Sequence, residues 1–294
     1  MSVPVADIDL DGTVNARDVG GLPLADGEGK VRDGVLLRSD NLQALSAADL
    51  RRLVDDLHVR RVVDLRTGVE VRGEGPGPMT GEPRVRIDHL SLFPEVGATT
   101  DVAADDADPA APDPDPAGPA DLGEDVLPWA RKPGQRRHHE PEDAVREWSP
   151  NPVARVYLRY LVQRPDSIVA ALRDVAENVD DGGATLVHCA AGKDRTGVVV
   201  ALALDLVGVD REAVEADYLA TVPHAAAIVA RLLASPTYHD DVAGTTVEEH
   251  APRPGTMAAF LEGVDEHFGG TAAFLAAHGW TDDDTRRLRA ALVG

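Results

Sequence analysis

The chain has 294 residues, of which 43% are hydrophobic, 27% charged and only 4% aromatic, as expected of a globular protein with a core of Ala, Val and Leu. The formal net charge of −22 argues against nucleic acid as a partner and against anionic lipid held by bulk attraction, although a local pocket of opposite sign can still take a phosphorylated ligand. One cysteine excludes an intramolecular disulfide and a cysteine-based zinc site. Residues 1–11 have neither the basic start nor the apolar run of a signal peptide, and no stretch of about 18 apolar residues occurs. The sequence therefore predicts no transmembrane segment and a cytoplasmic location.

In chain order, residues 15–21 (NARDVGG) read as a polar turn ending in glycine, and residues 35–39 as a short strand. Ser46 then caps a helix, with Asp49 in the third position of a capping box and Leu50, Leu53, Val54 and Leu57 at helical spacing. Residues 61–66 (RVVDLR) form a short buried strand ending in charges. Strand–helix–strand order of this kind predicts an α/β fold with a mostly parallel sheet flanked by helices. Residues 97–150 differ. Positions 101–125 are Ala, Asp, Pro and Gly with almost no large apolar side chain, and Arg136-Arg-His-His and more acid follow. Such composition cannot offset chain entropy, so it predicts a flexible acidic, Pro-rich insert within one domain spanning 1–294.

Order resumes near Pro152 with two helical segments bent at Pro165. Residues 184–188 predict a strand and 196–208 an apolar helix stopped by glycine, apolar nearly all round and therefore central. Residues 212–233 read as helix interrupted at Pro223. Three short helices, at 256–268, 272–278 and 282–292, end the chain.

The stretch that carries chemistry is His188-Cys189-Ala190-Ala191-Gly192-Lys193-Asp194-Arg195-Thr196-Gly197. A lone cysteine is more often a small buried hydrophobe, so its neighbours decide. Five residues between cysteine and arginine let a loop wrap with its amide N–H groups inward, making an anion nest at a helix N-terminus. In that nest Cys189 is the nucleophile, and Arg195 offers a bidentate fork to two phosphoryl oxygens. Ala190, Ala191, Gly192, Lys193, Thr196 and Gly197 form the substrate-binding wall. The field of the nest favours the thiolate, which attacks phosphorus in line. Thr196 is placed to hydrogen-bond the sulfur, and His188 orients the loop from outside. A Walker loop is excluded because Asp194 follows Lys193 and the upstream glycine is missing, and no G-x-G-x-x-G opens a helix. His138-His139 read as solvated, so neither a metal nor a cofactor is required.

This loop resembles the signature of the protein tyrosine phosphatases, in particular a bacterial subfamily that includes the mycobacterial secreted tyrosine phosphatase B. Asn15-Ala-Arg-Asp-Val-Gly-Gly-Leu22, Leu37-Arg-Ser-Asp-Asn-Leu42, Val63-Asp-Leu-Arg66 with Glu70, Asp217-Tyr-Leu219 and Phe274-Leu-Ala-Ala-His-Gly279 extend the resemblance to most of the chain outside 97–150. It implies a protein tyrosine phosphatase-like fold, a phosphocysteine intermediate and activity on phosphotyrosine, with phosphoserine/threonine or phosphoinositides as further substrate classes. Lys193 either binds a second phosphate or only strengthens the anion field. Two carboxyls compete as general acid. Asp194 lies in the nest, where the resemblance favours it, and Asp64 ends a buried strand at the sheet edge where α/β sites gather. The rival readings are that Asp64 pairs with Arg66 and that Asp194 only orients Arg195. Asp18 and Asp40 read as turn residues and Tyr218 as packing. A helical lid is implied, drawn from 212–234 or from the insert. The alternative to an enzyme is a non-catalytic phospho-ligand binding protein, or an adaptor acting through the insert.

Overall fold

The computed structural model describes residues 6–75, 77–94, 148–177 and 182–293. The expected insert at 97–150 lies outside them except for residues 148–150. Six strands form one mixed sheet: β1 (Ala6–Asp7), β2 (Arg17–Asp18), β3 (Leu36–Ser39), β4 (Val59–Asp64), β5 (Arg86–His89) and β6 (Ala184–His188), in the order β1-β2-β3-β6-β4-β5. The first three pair antiparallel, while β3, β6, β4 and β5 run parallel. Part of the stretch expected to turn at 15–21 is therefore strand β2. Its two residues are too few for an alternating pattern to show in the sequence.

Along a strand, successive side chains point to opposite faces. Leu36, Val63 and Val187 accordingly join one apolar cluster, and Leu37, Val62 and Leu186 another. The second cluster is closed by α1 (Ala47–Arg51), started by the expected Ser46–Asp49 capping box, and by a π-helical turn over Arg52–Asp56 that buries Leu53 and Val54. Between β4 and β5 lies α2 (Gly68–Glu74).

The other face carries α3 (Pro152–Gln163) and α4 (Pro165–Glu177). Pro165 has no amide to continue the ladder, so it opens the second helix rather than extending the first. The central α5 (Asp194–Leu206) is buried from Arg195 to Leu204 and begins earlier than its apolar run, because Asp194 and Arg195 form its first turn. The Pro223 interruption separates α6 (Arg211–Leu219) from α7 (Ala225–Ala234) by a 3-10 turn over Val222–His224. Two single turns follow, α8 (His239–Val242) and α9 (Val247–His250). The chain closes with α10 (Thr256–Phe268), α11 (Thr271–Ala277) and α12 (Asp282–Leu292). Among the described residues no helix is long and apolar enough to cross a membrane.

Register fixes the site. Ser39 and Asp64 both lie opposite His188, and Asp64 lies opposite His89. The loop after β6 thus leaves the middle of the sheet at the carboxyl ends of its parallel strands, where α/β folds gather ligands. Leu202 is fully buried in α5 within the larger cluster. Leu202→Ala is expected to lower the unfolding free energy by about 2–5 kcal/mol, measured by urea denaturation.

Candidate active site

β6 ends at His188 and α5 begins at Asp194, so Cys189 to Lys193 must turn the chain within five residues. Gly192 makes this possible. Its φ is +65°, and a Cβ there would stand 2.4 Å from the Ser39 carbonyl oxygen and 2.6 Å from the Asp40 nitrogen. No larger residue fits that approach. Cys189 follows directly on the buried strand and is 2% exposed, with Ala190 and Ala191 at 3% and 8%.

Arg195 lies in the first turn of α5, facing the loop's start. Its Nη1 and Nη2 donate to Glu70 Oε2 and Oε1 at 2.6 and 2.8 Å, and Nη1 also reaches the Leu65 carbonyl at 3.2 Å. Glu70 is held in turn by the capping box of α2. The Thr67 amide donates to Glu70 Oε2 at 2.7 Å, and the Glu70 amide to Thr67 Oγ1 at 3.2 Å. Burial opposes the Glu70 charge, but Arg195 outweighs it and holds the carboxyl below its ordinary range. The Phe93 ring stacks 5.4 Å from the guanidinium carbon. The sequence reading gave Glu70 no role of its own. The signal was the Thr67-x-x-Glu70 spacing of a capping box, which places a carboxylate at the start of α2.

Asp194 is part of a hydroxyl chain. Tyr157 donates its hydroxyl to Asp194 Oδ1 at 2.6 Å and lies 2.9 Å from the Tyr218 hydroxyl. Tyr218 thus does more than pack. Lys193 Nζ stands 3.5 Å from Asp194 Oδ2 and donates to the His250 carbonyl. A cavity of about 410 Å³ opens on these groups, lined by Tyr157, Tyr160, Lys193, Asp194, Tyr218 and Ile228 among others. Thr196 is fully buried, and its hydroxyl has no hydrogen-bond partner among the described residues.

Asp64 is occupied elsewhere. Arg66 donates Nε to Oδ1 at 2.9 Å and Nη2 to Oδ2 at 2.6 Å, and its amide also reaches Oδ1 at 3.0 Å. Burial opposes the Asp64 charge, but the neighbouring His188 and the Arg66 fork hold the carboxyl well below its ordinary range. Burial also lowers His188 to about 4, so the ring is neutral near pH 7 and Arg66 supplies the neutralising charge. Of the two expected general-acid candidates, Asp64 thus sits in a buried ion pair with Arg66, whereas Asp194 lines the cavity. Asp18 accepts from the Gly20 and Gly34 amides at 2.8 and 2.6 Å, as a turn residue does.

The chain matches the tyrosine phosphatase family over residues 8–294. It is 31% identical to the triple specificity protein phosphatase PtpB of Mycobacterium tuberculosis, covering 97% of this chain and 99% of that protein. A tyrosine-protein phosphatase of Nostoc commune is 29% identical, over 49% of this chain and 50% of its own. The chain belongs to the tyrosine phosphatase family. It is a cysteine-dependent phosphatase with the α/β fold that family implies, and its substrates are phosphorylated.

In this phosphatase the loop is covered. Ile228, Val229 and Leu232 of α7 form an apolar cluster with Ala190 and Ala191, joined by Tyr238 and Val242. Polar contacts hold the same helix: Arg231 pairs with Asp40 and donates to the Asn41 carbonyl at 3.0 Å, and Ser235 bonds Glu74. Within the expected 212–234 cover, α7 is the part that packs on the loop, whereas α6 packs on α5 and α10; the insert, the other expected cover, lies outside the described residues apart from 148–150. Asp40 also accepts from the Val14 and Asn15 amides at 3.1 and 3.0 Å, so it joins the N-terminal segment to α7.

Because Cys189 is the one cysteine, alkylation by iodoacetate reports its accessibility. Arg231→Ala removes the ionic tie of α7 and is expected to speed that alkylation several-fold at constant pH. An unchanged rate means the tie does not hold the cover. His188 makes stability pH-dependent in a known direction. The unfolded chain takes up a proton near pH 6.5 and the folded chain only near 4, so this residue's contribution falls as pH drops through that window, by about 3 kcal/mol at roughly 1.36 kcal/mol per pH unit. Asp174, raised to about 7 by burial and Asp88, acts in the opposite sense. The test is therefore the difference between wild type and His188→Asn, whose melting temperature should fall less steeply between pH 6.5 and 4.

Proposed function

We propose that this chain hydrolyses phosphomonoesters in two steps through a phosphocysteine intermediate on Cys189. The observation that carries the reading is the Cys189–Arg195 loop at the N-terminus of α5, with the Arg195 guanidinium fixed in plane by Glu70. In the first step the Cys189 sulfur attacks phosphorus, the bond to the leaving oxygen breaks, and Asp194 gives that oxygen its proton. Amides of the loop, including those of Ala190, Ala191 and Gly192, and the Arg195 fork hold the charge on the phosphoryl oxygens. In the second step water attacks phosphorus and loses a proton to the Asp194 carboxylate. The sulfur–phosphorus bond breaks, and the Thr196 hydroxyl receives the departing thiolate. Tyr157 supports this role for Asp194 by fixing one of its oxygens, so that the other faces the cavity.

The substrate class is phosphotyrosine, with phosphoserine/threonine and phosphoinositides as further classes. Support for that range comes from the name of the mycobacterial relative, a triple specificity protein phosphatase, and from Lys193 beside the loop. Residues 1–294 act in this reading as one phosphatase unit, without a metal or other cofactor.

Steady-state kinetics on the full chain test it. Wild type should hydrolyse p-nitrophenyl phosphate, be inhibited by vanadate and be indifferent to chelators. Cys189→Ser should abolish turnover, and Asp194→Asn should lower kcat by about 10²–10⁴-fold, the range for a lost general acid. Turnover retained by Cys189→Ser overturns the mechanism. A panel of phosphotyrosine peptides, phosphoserine peptides and phosphoinositides then ranks the three classes, and a chain that binds all of them without turnover is a phospho-ligand binding protein instead.

A further inference from the structure

Three consecutive carbonyls of the phosphate loop are tied back to the scaffold. Ala190 O accepts from the Asn41 amide at 3.1 Å. Ala191 O accepts from Asn15 Nδ2 at 3.0 Å. Gly192 O accepts from Arg38 Nη2 at 2.8 Å and from Asn15 Nδ2 at 3.3 Å. In a trans peptide the N–H of the following residue points opposite to the carbonyl, and no described peptide bond is cis. Tying these three oxygens therefore turns the amides of Ala191, Gly192 and Lys193 the other way, as an anion nest requires.

The side chains that do the tying are themselves fixed. Asn15 Oδ1 accepts from Arg17 Nη1 at 2.6 Å, which settles the amide orientation and leaves the NH2 for the loop. Asp217 of α6 anchors both arginines. Its Oδ1 accepts from Arg17 Nε at 2.9 Å, its carbonyl from Arg17 Nη2 at 2.7 Å, and its Oδ2 from Arg38 Nη1. All four residues are at most 2% exposed. Burial and the neighbouring Arg38 lower Arg17 to about 10, so it stays cationic at neutral pH. Two guanidiniums against one carboxylate leave a net positive charge behind the loop, shielded from solvent.

We propose that Asn15 and Arg38, held by Arg17 and Asp217, are positioning residues for the reaction, setting the direction of the loop amides and adding a buried positive charge behind the bound phosphoryl group. They come from three stretches far apart in sequence: the N-terminal NARDVGG segment, strand β3 and helix α6. None touches the reacting atoms. Their effect passes through backbone carbonyls, so it falls on anion affinity and on the transition state rather than on the leaving group.

The experiment uses the full chain as wild type, Asn15→Ala, Asn15→Asp and Arg38→Lys. It reads kcat and KM for p-nitrophenyl phosphate, the inhibition constant for orthovanadate, and the melting temperature. Asn15→Ala should weaken vanadate about tenfold and lower kcat by more than it raises KM. Asn15→Asp keeps the size and the Arg17 contact but sets an oxygen against the Ala191 and Gly192 carbonyls and cancels the buried charge. It should weaken vanadate about a hundredfold. Arg38→Lys, which keeps the charge but cannot span Asp217 and Gly192 together, should weaken it several-fold. A packing role predicts the reverse order at position 15, with the isosteric Asp nearer to wild type than Ala, and that order overturns the proposal. Should Asn15→Ala fail to fold, Asn15→Asp carries the test, and wild-type vanadate affinity in that variant overturns it as well. The inference rests on the phosphatase reading, and the two fail separately. A wild-type chain without turnover refutes the reading, whereas normal turnover with undisturbed variants refutes only the positioning role.

Discussion

A guanidinium taken out of water is tolerable only when a matched anion meets it with good geometry, and Arg195 meets that demand in Glu70. The pair dictates much else. Glu70 must sit in the first turn of α2, where the Thr67 cap holds it, and α2 must begin directly after β4. Arg195 must sit in the first turn of α5, directly after the loop. One ion pair thus fastens two helices across the end of the sheet, and the guanidinium carbon lies over the ring of Phe93, just beyond β5. Removing either partner would strand a buried charge, which costs far more than the pair contributes over an apolar substitute.

The charge around the loop differs from the charge of the whole. The chain carries a formal −22, yet the ion pairs described at the site set Arg17, Arg38, Arg66, Lys193 and Arg195 against Asp64, Glu70, Asp194 and Asp217, five cations to four carboxylates. The acidic excess therefore lies away from the loop. Net charge excludes partners that bind by the far field. It says little about a ligand bound in a pocket where the dielectric is low and distances are a few ångströms.

The loop was legible because its chemistry is written in one contiguous decapeptide, and the parallel strands because β3, β4 and β6 are apolar runs beside helices with clear caps. What stayed hidden has common physical causes. Strand β2 is two residues long and β5 reads Arg-Ile-Asp-His, so neither shows a buried run, and both exist because neighbouring strands supply their hydrogen bonds. Glu70 was given no role because its capping-box place after Thr67 was not read, and that it holds Arg195, 125 residues away, is a tertiary fact. Tyr218 read as packing because an aromatic in a helix usually packs, and only the fold sets it against Tyr157. Asp64 kept two readings open because the two-residue spacing to Arg66 fits either a partner or a bystander, and only side-chain geometry separates them.

The small side chains that the loop requires also explain why it is covered. Gly192 has no room for a Cβ, and Ala190 and Ala191 beside it present a surface of small apolar side chains. Ile228, Val229 and Leu232 bury that surface, at about 1.5–3 kcal/mol for each aliphatic side chain fully removed from water. The cavity lined by Tyr157, Lys193 and Asp194 opens beside this contact, with Ala191, Ile228 and Leu232 in its wall, while Cys189 is 2% exposed. Arg231 adds a polar tie to this apolar contact: Asp40, which it meets, is buried and also accepts the Val14 and Asn15 amides, so loss of Arg231 leaves a buried carboxylate without its cation.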